Sequence, residues 1–106
     1  MWVPKPGVWM LAASAVSCAS LIPSTAFAEP VTQGAMLSIT CNGCHGPDGK
    51  SVGAIPSIGG KAADYIEKAL LDFRDDKRPS TVMQRHAKGY SDAEIKLMAE
   101  YFAAKK

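Results

Sequence analysis

The chain has 106 residues, enough for one small domain, and its 12 basic and 10 acidic residues leave a formal charge of +2. Only Lys5 of the charged residues lies in the first 28 positions, so residues 29–106 are close to neutral. That balance excludes the basic face a nucleic-acid binder needs to neutralise phosphates.

The N-terminus reads as an export signal. Met1 to Gly7 carries the single cation Lys5, Val8 to Ile22 is almost free of polar groups, Pro23 follows, and Ala26-Phe27-Ala28 has the small-x-small form that a signal peptidase cuts. The expectation is a signal peptide over residues 1–28, cleavage after Ala28 and a periplasmic protein. The apolar run is about 15 residues, short of the about 20 that a membrane span needs, so no span is expected once the signal is removed. The alternative of a lipid on Cys18 has a weaker box, Ala15-Val16-Ser17, without the usual leucine. A domain the size of residues 29–106 has a marginal hydrophobic core and calls for a staple or a cofactor. Cys18 leaves with the signal. Cys41 and Cys44 remain, and the loop they would close is too short to staple a domain.

Residues 31–40, with Gly34, Met36, Leu37 and Ile39, fit a first helix running into the cysteines. Residues 41–60 are dominated by turn formers, including Pro47, Pro56, Gly59 and Gly60, and predict a loop wrapped on something rigid. From Lys61 to Phe73, Ile66, Ala69, Leu70 and Phe73 form the i, i+3, i+4, i+7 stripe of an amphipathic helix, ended by Asp72, the run Arg74 to Arg78, and Pro79. Pro79 to Gly89 shows no period and predicts an ordered loop with at most a short turn. Ser91 and Glu94 form a capping box ahead of the stripe Ile95, Met98, Ala99 and Phe102, with Lys105 and Lys106 placed to favour the negative end of the last helix dipole. The fold class predicted is all-α: three or four short helices, no strand, and two loops long enough to need a scaffold.

Cys41-Asn42-Gly43-Cys44-His45 is C-x-x-C-H, the attachment signature of c-type haem. Two thiols three apart reach the two vinyl groups on one edge of a porphyrin, and the next residue then falls beneath the ring, where the His45 imidazole binds iron. An exported chain is also where such haem is attached. A thioredoxin-like pair lacks the βαβ surroundings it requires, and a zinc site lacks ligands, since only His86 remains. The sixth iron position wants a methionine thioether. Met83 is the candidate, in a loop well separated from His45; Met36 is expected to pack in the first helix and Met98 in the core. His86 is the other candidate, giving a bis-histidine iron, or else a plain loop histidine. The second nitrogen of His45 is expected to donate to a backbone carbonyl near Pro56, which fixes its tautomer.

With the haem motif, the Pro56 loop, the Met83 segment and the capped last helix in this order, residues 32–104 resemble a class I cytochrome c. The resemblance implies a first and last helix that cross around one covalent haem c. It implies Gly34 at the close-packing point of that crossing, facing Tyr101 or Phe102, and the Pro56 carbonyl as acceptor for His45. Ile55-Pro56-Ser57-Ile58-Gly59-Gly60, Thr81-Val82-Met83 and Ala87-Lys88-Gly89-Tyr90-Ser91-Asp92 are similar, more narrowly, to the haem subunit of flavocytochrome c sulfide dehydrogenase. In that family a flavoprotein takes electrons from sulfide and passes them to the haem subunit; many members hold two haem domains, and this chain has a single C-x-x-C-H.

The function expected is therefore electron transfer, with no catalytic residue: Cys41, Cys44, His45 and Met83 are all committed to haem, and no nucleophile-and-base set remains. The partners expected are a flavoprotein subunit or other redox proteins, since Ile55, Val82 and Gln84, expected near the haem edge, are uncharged and no dense lysine ring is present. The rival readings are a free soluble carrier and an open-site haem protein that binds gas or substrate, against which Met83 argues.

Overall fold

A computed structural model describes residues 30–106, together with the isolated Gly7. The signal-peptide reading of residues 1–28, with Cys18, lies outside this continuous stretch. Among the described residues there are four α-helices and no strand: α1 (Gln33–His45), α2 (Ala63–Arg74), α3 (Met83–Ala87) and α4 (Asp92–Ala103), with a 3₁₀ turn at Pro47–Gly49.

Thr32 starts α1 by accepting the Ala35 N–H at 3.2 Å. The helix does not stop before the cysteines. It carries the whole C-x-x-C-H motif and ends where Gly46 turns to φ +86°, a conformation that only glycine takes freely. α4 starts on the predicted capping box: Ser91 N–H donates to Glu94 Oε2 at 2.9 Å, and Glu94 N–H donates to Ser91 Oγ at 3.3 Å.

α4 packs on both α1 and α2, while α3 lies on α2. The core is Ile66, Ala99 and Phe102, with Ile95 and Met98 also fully buried on α4. Tyr101 meets Phe102 edge-on, with ring centroids 5.2 Å apart. Where α1 meets α4, a Cβ added at Gly34 would stand 2.7 Å from the Leu97 carbonyl oxygen and 3.5 Å from Tyr101 Cβ. Gly34 is thus the close-approach point, as the resemblance implied, with Tyr101 as the aromatic it faces. Gly34→Val is expected to force the helices apart and to lower the unfolding free energy of the haem-loaded protein by about 1–3 kcal/mol, read from denaturant midpoints.

Three expectations change. α2 begins at Ala63 rather than Lys61 and runs through Asp72 to Arg74, because Lys68 Nζ pairs with Asp72 at 2.5 Å one turn on; charge at this end supports the helix instead of stopping it. The stop comes at Asp76, at φ 57°, after which Lys77 and Arg78 N–H both donate to the Asp72 carbonyl. Residues 79–89 are not all loop: the Ser80 hydroxyl accepts the Gln84 N–H at 3.0 Å and α3 forms around it, too short to show a period. Lys105 and Lys106 lie beyond the last turn of α4. Lys105 Nζ instead sits 4.2 Å from the Tyr101 ring centre and 3.4 Å from Asp48, while Lys50 donates to the Lys106 carbonyl.

Candidate functional site

A cavity of about 520 Å³ opens between α1, α2, α3 and the loop 54–58, with Met98 and Phe102 of α4 at its back. That volume lies in the range of small-molecule and cofactor sites. Cys41, Cys44, His45, Pro56 and Met83 all line it, so the residues singled out in the sequence converge on one space.

The last turns of α1 set three of them. Cys41 and Cys44, three residues apart, share a helix face; neither is in a disulfide. Cys41 is half-buried, and that burial pushes its thiol above the ordinary value against a smaller, opposing hydrogen bond from Thr40; Cys44 is exposed. His45 is 8% exposed, and its Nδ1 lies 2.6 Å from the Pro56 carbonyl oxygen. A carbonyl can only accept, so Nδ1 carries the proton and Nε2 keeps its lone pair free for a metal. The loop that presents Pro56 is pinned at its base, where Ile58 and Gly59 N–H donate to the Gly49 carbonyl at 2.8 and 3.0 Å. Gly49, at φ +71°, leaves no room for a side chain: a Cβ would lie 2.9 Å from Phe102 Cδ1.

Met83 lies in the first turn of α3, not in a loop as expected, and is half-buried against the cavity. The other methionines separate clearly. Met36 is 59% exposed, so the packing role expected of it is not what α1 gives it, whereas Met98 is 1% exposed in the core and also reaches the cavity wall. His86 lines the cavity too, on the same helix as Met83. Of the expected edge residues, Ile55 and Val82 are exposed at the cavity wall, while Gln84 turns away to donate to the Arg78 carbonyl at 3.3 Å.

The sequence reading missed one wall. The α2 stripe Ile66, Ala69, Leu70 and Phe73 was read as the apolar face of an amphipathic helix, with nothing said of what covers it; it forms a side of the cavity, joined by Tyr65 and Tyr90. Helical periodicity marks a buried face without saying whether protein or cofactor covers it. Lys61 and Arg78 also line the cavity, and among the described residues no acidic one does; Arg78 lies 4.9 Å over the Phe73 ring centre, and Lys61 lies 5.6 Å over that of Tyr65. Tyr90 is held by a contact of its hydroxyl with Thr40 Oγ1 at 3.2 Å.

The donor set fits iron in a porphyrin. One imidazole has its tautomer fixed, two thiols stand one helical turn apart, a thioether comes from a separate element, and aromatic and aliphatic walls surround them with two cations for the carboxylates of such a ring. Among the described residues no cluster of three or more His, Cys, Asp or Glu could hold a bare metal ion instead.

Comparison with known proteins agrees. The cytochrome c family profile matches residues 31–104. The chain is 59% identical over 76 residues to the cytochrome subunit of sulfide dehydrogenase of Chlorobaculum tepidum, covering 70% of this chain and 69% of that one. It is 36% identical over 81 residues to cytochrome c-553 of Nitratidesulfovibrio vulgaris, covering 72% and 79%. It is 40% identical over 67 residues to the thiosulfate dehydrogenase electron acceptor of Stutzerimonas stutzeri, but that match spans 59% of this chain and only 31% of the relative. The chain therefore belongs to the cytochrome c family, with the all-α class I fold, and is an electron-transfer protein whose cofactor is one covalent haem c.

Proposed function

We propose that this chain is the cytochrome subunit of a flavocytochrome c sulfide dehydrogenase, exported to the periplasm as residues 29–106, where it takes electrons from a flavoprotein subunit and passes them to another carrier. The observation that carries this reading is the 59% identity with the sulfide dehydrogenase subunit over most of both chains. Exposed Ile55 and Val82 at the cavity wall offer an apolar surface, suited to a lasting partner rather than a charged transient one. No helix among the described residues is long and apolar enough to cross a membrane.

In this reading Cys41 and Cys44 form the thioethers, and His45 and Met83 hold the iron. The haem supplies the one-electron couple. Pro56 keeps the His45 imidazole oriented and its Nε2 bare, and the burial of His45 keeps water from competing for it. The Met83 thioether would raise the potential and keep small ligands from the iron. Arg78 and Lys61 are placed to neutralise the carboxylates of the ring. No side chain makes or breaks a bond to a substrate.

The second reading, a free monohaem carrier, draws on the 36% identity with cytochrome c-553, which the chain covers over 79% of its length. Purification of the tagged chain from its native cells separates the two. A flavin-containing chain recovered with it in equal amount, and haem reduction on adding sulfide, support the subunit reading; a lone monomer that sulfide leaves oxidised sinks it. The ligand assignment has its own test: oxidised protein should show the near-infrared sulfur-to-iron band, and Met83→Leu should abolish it.

A further inference from the structure

We propose that His86 is a second iron ligand held in reserve, which takes the sixth position when the Met83 thioether leaves it; this rests on the reading of Met83 as the resident ligand. The chain contains two histidines. His45 is committed through its Nδ1 to Pro56. The His86 imidazole makes no hydrogen bond or ion pair to any described residue; the residue is exposed and is among those lining the same cavity as Met83. Its backbone is fully used, with its N–H donating to the Val82 carbonyl at 3.2 Å and its own carbonyl accepting from Gly89 N–H at 3.2 Å. The ring is therefore held by its position on α3 alone.

That position is the second point. Met83 and His86 are three residues apart on one helix, so they lie on the same face, separated along the axis by roughly 4.5 Å. α3 is one and a half turns long and packs on α2. The Ser80 hydroxyl bond to Gln84 N–H and the Gln84 side-chain bond to the Arg78 carbonyl hold its middle, while Ala87 is 1% exposed and the following Lys88 pairs with Asp76 at 2.8 Å, so a slide has to release that end. A slide of such a segment by about one turn is a known scale of movement between two packed states, and here it substitutes an imidazole for a thioether.

The exchange moves no electron: the iron–sulfur bond to Met83 breaks, the bond to an imidazole nitrogen of His86 forms, and the ring proton stays on the other nitrogen. Nitrogen suits the harder ferric ion and the thioether the softer ferrous ion, so the exchange is favoured in the oxidised protein. Its effect is to keep the iron six-coordinate, and so closed to small ligands, while the thioether is away.

The test compares haem-loaded Met83→Leu and Met83→Leu/His86→Ala in buffer without imidazole. Leucine keeps the apolar volume and offers no iron-binding atom, and Met83→Ala serves as a second background should leucine impair haem retention. The oxidised single variant is expected to be low-spin, without the sulfur band and with the electron-spin resonance of two imidazoles on iron. With only two histidines in the chain, the second imidazole in a monomer is His86. Removing it should turn the iron high-spin and speed carbon monoxide binding to the reduced form by about tenfold or more. A high-spin single variant, or a second substitution that changes neither spin state nor carbon monoxide rate, overturns the reserve role. A sulfur band that persists after Met83 is replaced overturns the ligand assignment itself and points to Met98, the other thioether at the cavity wall.

Discussion

Replacing Cys41 and Cys44 together by serine is expected to yield a polypeptide without the mass of haem that fails to fold. The reason lies in how little the helices bury without their cofactor. The fully buried apolar side chains among the described residues are Ile66, Ala87, Ile95, Met98, Ala99 and Phe102, and two of these six are alanines. Beside them lies a cavity of about 520 Å³ walled largely by apolar groups. At about 24 cal/mol per Å³ an empty cavity of that size costs up to about 12 kcal/mol. Because this one opens to solvent, the figure is an upper bound. Even half of it matches the whole stability of a small domain, about 5–15 kcal/mol. Covalent attachment makes filling the cavity permanent, so it does not depend on the concentration of free haem. Circular dichroism and mass spectrometry of the purified double variant check the outcome. A colourless double variant with native helix content and a cooperative melt would show that the polypeptide packs on itself.

The parts of this architecture legible in the sequence are those written in local chemistry. The capping box at Ser91 and Glu94 and the apolar stripe of α4 specify that helix by themselves, and the structure has it from Asp92 to Ala103. The C-x-x-C-H spacing named the cofactor because the reaction fixes the geometry, not the fold. Gly34 could be placed only through the family resemblance: nothing in its own neighbourhood says that the Leu97 carbonyl comes within 2.7 Å of where its Cβ would be. α3 was illegible because it is five residues long and is nucleated by the Ser80 hydroxyl. At the end of α2, Asp72 was counted with the charges that stop the helix, whereas its spacing of four from Lys68 makes it a partner within the helix. The cavity wall on α2 was hidden for a different reason. Periodicity reports that Ala69, Leu70 and Phe73 are sheltered from water, and haem shelters them as well as protein does.

Phe102→Ala should be the most damaging single substitution away from the proposed ligands. Its ring is 1% exposed and sits where three parts of the structure meet. It packs with Ile66 and Ala99 in the core, touches the tight turn at Gly49, and forms the back of the cavity. Its carbonyl accepts Gly60 N–H at 2.8 Å and Lys105 N–H at 3.1 Å, so the loop carrying Pro56 and the C-terminal end both register on this residue. The backbone bonds survive the substitution; the ring contacts do not. Truncating a buried phenylalanine costs about 3–5 kcal/mol, which in a domain this small lowers the melting temperature by roughly 12–40 °C. The damage should also reach the iron. With the ring gone, the Gly49 turn loses its support, and that turn anchors Ile58 and Gly59, two and three residues after the carbonyl that orients His45. A thermal melt of the haem-loaded variant measures the first effect, and the midpoint potential the second. Losing that orienting bond lowers the basicity of the imidazole, so the potential should rise. A variant that melts within a few degrees of the parent would show that Gly49 and the α2 face hold the cavity without this ring.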